Sequence, residues 1–164
     1  MEQVIYRPIG IIHTPFHKLK GMPIQPGGAQ GVCGTIEIRE DCLDGLQDLD
    51  GFSHIILLYH FHKSKGYSLE VIPFLDEKPR GLFATRAPRR PNALGMSVVE
   101  LLEIEDTTVH IMNVDMLDGT PLLDIKPYLP DLDHQEPCRN GWLEKSSDTS
   151  ACIRSDDRFD IDNS

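Results

Sequence analysis

Residues 78–97 hold the densest concentration of reactive and ligand-binding side chains in the chain. Lys78, Arg80, Arg86, Arg89 and Arg90 are five basic residues with no acid between Lys78 and Pro91, in a protein of formal net charge −10. Pro88 and Pro91 bracket the arginine pair and restrict both their own φ and the residue before them, so this loop is expected to be stiff. Guanidinium groups held on a stiff loop suit recognition of phosphate or carboxylate. The same composition also fits a solvated turn whose arginines pair with surface acids.

Other constellations in the chain could also do chemistry. His60 and His62, at i and i+2 on a strand, project to one side as a metal pair requires. His54 is further along the same face, and His13, His17, His110 or an acid elsewhere would have to complete a site. The competing reading is a barrel rim whose histidines bond backbone or ligand, and the absence of a second ligand motif favours it. Asp118-Gly119-Thr120-Pro121 reads as a tight turn. Its aspartate can accept from a ribose diol or an ammonium group, and its glycine permits φ > 0 or close approach of a ligand. No Gly-x-Ser-x-Gly motif, P-loop or Gly-x-Gly-x-x-Gly fingerprint occurs, which argues against a serine nucleophile elbow and a Rossmann-type nucleotide site. Ser53 beside His54 is no dyad, because neighbours on a strand point to opposite faces.

The elements that must position these residues are mostly short strands. Residues 3–13 read as a strand interrupted by Pro8 and Gly10, placed at an edge or bulge. Residues 14–30, with three glycines and three prolines, form a long loop of the kind that carries function. Residues 31–39 form a second strand. A short helix over 41–49 is expected, capped by Asp41, with Leu43, Leu46 and Leu49 on one face. Phe52 to His62 is the strongest strand, apolar on both faces and hence central. Leu82 to Thr85 reads as a short strand and Met96 to Ile104 as a longer one. Thr108 to Val114 is its hairpin partner across Glu105-Asp106. Leu122 to Tyr128 is a last strand, assigned to an edge by Pro127. The fold class is therefore all-β, mainly antiparallel, as a small closed or partly open β-barrel with short helices and an irregular C-terminal tail.

Length and composition fit one globular domain, with 40% hydrophobic and 26% charged residues over 164 positions. No apolar run is long enough to span a bilayer, and the N-terminus lacks the pattern of a signal peptide, so a cytoplasmic protein is expected. Cys33, Cys42, Cys138 and Cys152 include no Cys-x-x-Cys pair and read as reduced thiols. Acidic composition argues against a general polyanion binder but leaves room for a local basic surface. Residues 131–164 hold nine acidic and four basic residues. They are expected to form an acidic C-terminal extension, partly disordered or packed on a body spanning residues 1–130, with Trp142, Leu143, Ile153 and Phe159 as its scattered apolar residues.

Five ordered segments resemble the TrmO (TsaA/YaeB) family. Thr85-Arg86, Arg90-Pro91-Asn92 and Leu94-Gly95-Met96-Ser97 match its first signature, and Asp118 to Tyr128 its second. Ile9 to Phe16, Gln25-Pro26-Gly27 and Leu49 to His54 also fit, in order. The resemblance implies a small β-barrel, homodimeric, that uses S-adenosylmethionine to methylate N6 of threonylcarbamoyladenosine at position 37 of tRNA. By position it implies cofactor contacts at Pro23, Ile24, Gln25, His62, Lys63, Arg86, Met96, Asp118, Gly119, Thr120 and Pro121. Ile24 and Lys63 depart from the polar residue and the glutamine that the family often has there, and Ala93 replaces a common proline. Arg89, Arg90 and Asn92 are the substrate-side candidates, facing the tRNA anticodon loop. No metal is implied and no general base is identified. Some family members carry a further C-terminal domain used with tRNA, to which the acidic extension does not correspond.

Two other functions compete with methyl transfer. One is a non-catalytic barrel that binds a nucleoside or RNA. The other is a metal-dependent barrel enzyme using His60 and His62.

Overall fold

The computed structural model describes residues 2–145 and 154–156. Six strands close into an antiparallel barrel: β1 (Gly10–His13), β2 (Cys33–Ile38), β3 (His54–His60), β6 (Leu94–Glu105), β7 (Thr108–Met112) and β8 (Thr120–Pro127). Their order around the barrel is β1-β2-β7-β6-β3-β8, and β8 pairs back onto β1. Two very short strands, β4 (Glu70–Val71) and β5 (Arg80–Gly81), form a separate hairpin-like sheet in the long connection between β3 and β6. No helix among the described residues is long and apolar enough to cross a membrane.

Alternation along each strand builds the core. Ile12, Ile36, Ile55, Leu57, Val99, Val109, Ile111 and Leu122 are all fully buried and belong to one cluster. A closed barrel removes edges, and inward residues alternate with outward ones on every strand. Register shifts at Leu58/Tyr59 and at Leu101/Glu103 mark bulges of the kind that let a small sheet bend and close.

Closure corrects several expectations. β8 is no edge strand: it pairs with β1 on one side and β3 on the other. Pro127 is tolerated because it is the strand's last residue. β1 is likewise paired on both sides and begins only at Gly10, so Pro8 precedes the ladder instead of interrupting it. β3 is buried on one face only. Ile55, Leu57 and Tyr59 point inward, while Ile56 and Leu58 are half-buried. The strand is nonetheless interior to the sheet, paired with β6 on one side and β8 on the other.

The helix expected over 41–49 is 3₁₀ over Glu40–Leu46, with a second 3₁₀ turn at Leu49–Gly51. Asp41 does not cap it; Asp41 instead pairs with Arg39 at its entrance. Leu43, Leu46 and Leu49 do pack against the core, as their spacing predicts. Leu82 to Thr85 is not a strand: Leu82–Ala84 is a 3₁₀ turn directly after β5. Leu82, Val71 and Ala87 form their own small buried cluster. The connection carrying the arginines therefore has a core of its own.

From the extension, Trp142 and Leu143 fold back on the body, and Ser155 pairs with Met22 through backbone bonds in both directions between residues 21–22 and 155. Cys152, Ile153 and Phe159 lie outside the described residues. Cys33, Cys42 and Cys138 are free thiols.

Candidate active site

A cleft of about 850 Å³ opens where the first loop, the β3 exit, the arginine loop, the start of β6 and the β7–β8 connection meet. Pro23, Ile24 and Gln25 line it from the first loop, and His62 and Lys63 from the β3 exit. Arg86, Arg90, Met96 and Thr120 complete the set of sequence-predicted residues on its wall. Its apolar lining includes Phe61, Phe74, Phe83 and Trp142. A second cavity of about 610 Å³, beside Ile9, Cys42, Leu46 and Phe52, gathers none of the sequence-predicted site residues.

The arginine loop is stiff for reasons beyond its prolines. The Thr85 hydroxyl donates to Leu82 O (2.8 Å) and accepts from the Ala87 N–H (3.3 Å). Arg90 Nη1 lies 3.0 Å from Thr85 O and 3.3 Å from Ala87 O, so this guanidinium staples the loop from within. Arg80 forks onto Asp76 through Nε (2.8 Å) and Nη2 (2.6 Å). Trp142 Nε1 donates to Ala84 O at 2.8 Å, and the Arg80 guanidinium sits 5.4 Å from the indole centroid. Arg86 differs from these. It is exposed, lines the cleft, and has no hydrogen-bond or ion-pair partner among the described residues. Arg89 is half-buried, with its Nε buried and unpartnered, and neither Arg89 nor Asn92 lines the cleft.

The Asp118 turn positions β8 against β1. Gly119 has φ +75°, the left-handed region glycine favours, and its N–H donates to Ile12 O at 3.0 Å. Asp118 Oδ1 accepts from the Thr14 N–H at 3.1 Å, while His13 and His17 Nδ1 stand 3.4 Å and 3.3 Å from its two oxygens. The Thr14 amide, aided by the two histidines, holds the Asp118 carboxyl below its ordinary range. Asp118, Gly119 and Pro121 do not line the cleft; Thr120 does.

His60 and His62 part company at the strand end. β3 stops at His60, so the two-residue rule no longer applies beyond it. His60 is exposed, with Nδ1 3.2 Å from Ala93 O, whereas His62 is half-buried on the cleft. Thr120 Oγ1 donates to Leu117 O (2.6 Å) and faces His62 Nδ1 at 3.5 Å. Burial, then the charges of Lys63 and His60, lower the His62 pKa and favour its neutral form. No group of three His, Cys, Asp or Glu side chains among the described residues is placed to hold a metal ion.

Sequence reasoning missed the polar floor of the cleft. Tyr59 OH lies 3.0 Å from Ser97 Oγ, and Ser97 Oγ donates to Asp115 Oδ1 at 2.7 Å. Since the Ser97 proton goes to Asp115, Tyr59 is the donor to Ser97, and the relay runs from the phenol to the carboxylate. Tyr59 is 5% exposed, and burial, followed by the Asp115 charge, pushes its pKa well above the ordinary phenol value, so it stays a donor. Burial pushes the Asp115 carboxyl up to about 6, against the lowering effects of the Ser97 bond and the Arg86 charge. Gly95 makes room for the phenol: a Cβ there would stand 2.2 Å from Tyr59 Cε2. A tyrosine in phase with Ile55 and Leu57 was the available signal, because a buried phenol needs a partner for its hydroxyl.

This arrangement can be set beside known proteins. The family described as tRNA-methyltransferase O N-terminal domain matches residues 11–134. The chain belongs to that family. A probable S-adenosyl-L-methionine-binding protein of Pyrococcus abyssi is 51% identical over 156 residues, covering 95% of this chain and 85% of the relative. The mouse tRNA (adenine(37)-N6)-methyltransferase is 37% identical over 137 residues, covering 79% of this chain and 32% of the mouse protein. The crystal structure of TrmO from Pseudomonas aeruginosa superposes with a TM-score of 0.72 at 37% identity, covering 86% of this chain. The chain spans 63% of that solved TrmO chain, just under two thirds of its length.

The residues present fit S-adenosylmethionine. The cleft volume falls within the range of about 300–1,000 Å³ usual for small-molecule sites. Its aromatic walls suit a purine, and the unpartnered Arg86 suits a carboxylate.

Proposed function

We propose that this chain transfers a methyl group from S-adenosylmethionine to N6 of threonylcarbamoyladenosine at position 37 of tRNA, as a cytoplasmic homodimer. The observation that carries the reading is convergence. Pro23–Gln25, His62, Lys63, Arg86, Met96 and Thr120, far apart in sequence, line one cleft in a member of a tRNA-methyltransferase family. When bound, the cofactor supplies an activated methyl, so the protein's task is chiefly positioning and exclusion of water. Arg86 and Lys63 orient carboxylate groups, and the aromatic walls hold the purine. Arg89, Arg90 and Asn92 serve the anticodon loop, in Arg90's case from a guanidinium already anchored to its own loop. Asp118, Gly119 and Pro121 act on the cofactor through the turn that sets Thr120 on the cleft. The barrel of residues 1–130 carries the chemistry, and the extension adds the wall at Trp142 and Leu143.

The test is methyl transfer from labelled cofactor to tRNA with and without the threonylcarbamoyl group, followed by nucleoside mass analysis. Methyl on N6 of the modified adenosine alone is expected. Cofactor binding without label in either tRNA would overturn the reading in favour of a non-catalytic binding barrel. Chelators are expected to leave transfer unchanged.

A further inference from the structure

Methylating N6 requires that its proton leave, and the cleft contains a carboxylate for which the family resemblance implied no role. Asp115 follows β7, lines the cleft, and is half-buried there. Its side chain accepts from Ser97 at Oδ1 and from its own backbone amide. A carboxylate accepts through about four lone-pair directions, so Asp115 has unused acceptor capacity toward the cleft. Arg86 influences it electrostatically but forms no ion pair with it. An under-satisfied carboxylate in a largely apolar cleft is costly unless a donor arrives with the ligand.

We propose that Asp115 is the general base of methyl transfer, oriented by the Tyr59–Ser97 relay, and this rests on the methyltransferase reading above. The N6 lone pair forms the bond to the methyl carbon. The carbon–sulfur bond breaks with its electron pair going to sulfur, which changes from sulfonium to neutral thioether. The N6 proton passes to the Asp115 carboxylate and from there to solvent. Tyr59 cannot substitute, because it is itself the donor at the head of the relay. The titratable and charged groups sharing the cleft are Tyr59, His62, Lys63, Arg86, Arg90 and Asp156. Of these, Arg86 lowers the Asp115 pKa, and burial outweighs it, leaving the carboxyl near 6. A base poised there is active in its deprotonated form, so the rate rises with pH through about 6 and levels above it.

The experiment compares wild type, D115N, S97A and H62N in single-turnover transfer at saturating cofactor across pH 5–8. Cofactor Kd is measured by calorimetry, and the Asp115 carboxyl is titrated by carbon NMR in the ligand-free protein. D115N is expected to lose about 10²–10⁴-fold in rate, to lose the acid limb, and to keep the wild-type Kd. S97A, lacking the hydrogen bond that lowers the carboxyl, should move both the limb and the NMR midpoint to higher pH. A wild-type rate or a persisting limb in D115N overturns the proposal. So does a D115N defect confined to Kd, a limb abolished by H62N instead, or an unmoved midpoint in S97A. An inactive wild type would instead refute the methyltransferase reading itself.

Discussion

Replacing Gly95 by alanine is expected to destabilise the barrel and disable the cleft floor together. Gly95 and Tyr59 are direct partners across β3 and β6, and the phenol ring lies over the glycine. A Cβ at residue 95 would stand 2.2, 2.5 and 2.8 Å from three ring atoms. The ring has little room to yield. It is 5% exposed, it meets Phe61 edge-on at 5.4 Å, and its hydroxyl is held by Ser97 at 3.0 Å. Forcing extra volume into a packed core costs about 1–3 kcal/mol. Losing the Tyr59–Ser97 bond adds about 0.5–1.5 kcal/mol. The sum, about 1.5–4.5 kcal/mol, corresponds to a midpoint lowered by about 3–18 °C for a chain of this size. Scanning calorimetry reads this directly, with urea midpoints as a second measure. If the clash with the ring is the cause, Y59A/G95A should be no less stable than Y59A alone, because residues in contact couple. A G95A midpoint equal to wild type, or full additivity in the double variant, would refute the reasoning.

Further outcomes follow from the same geometry. R86A should leave the thermal midpoint unchanged, since its guanidinium holds nothing together among the described residues, yet methyl transfer should fall sharply; normal turnover would remove it from the site. D118N should weaken the tie between β1 and β8. The wild-type carboxyl is held below its ordinary pKa, so its stabilising contribution is present above the unfolded value of about 3.9 and fades as pH falls through the lower folded value. Urea midpoints of the two proteins should therefore differ at pH 7 and converge in acid; a gap that widens on acidification contradicts this. Trp142 is the chain's one tryptophan and lines the cleft, so titrating S-adenosylmethionine should change its emission saturably. An emission blind to a cofactor that binds by calorimetry would put the ligand elsewhere.

Local sequence was enough to specify several parts of this molecule. The alternation of Ile55 and Leu57, and of Val109 and Ile111, marks strands because a pleated backbone sends successive side chains to opposite faces. The brackets of proline around Arg89 and Arg90 mark a stiff loop, and Gly119 marks a turn needing positive φ. Ordered motif segments further resemble one family, which assigns roles that periodicity alone cannot. Other features depended on pairing between distant residues. Pro127 reads as an edge because a proline lacks an N–H, yet closure of β8 onto β1 abolishes the edge and only strand ends remain for it. His60 and His62 read as a pair because a strand was assumed to continue, and its termination at His60 separates them. Asp115, Ser97 and Tyr59 read as an unremarkable acid, a motif serine and a core aromatic. Only the register of β3 on β6, and the return of the chain after β7, bring them within hydrogen-bond reach. The sequence by itself determined an all-β chain with a stiff cationic loop and a glycine turn, because those follow from local sterics and side-chain period. The tertiary structure decided which arginine faces the cleft without a partner among the described residues, which carboxylate lies at the floor of the cleft and which glycine seats a phenol, because each depends on contacts between residues distant along the chain.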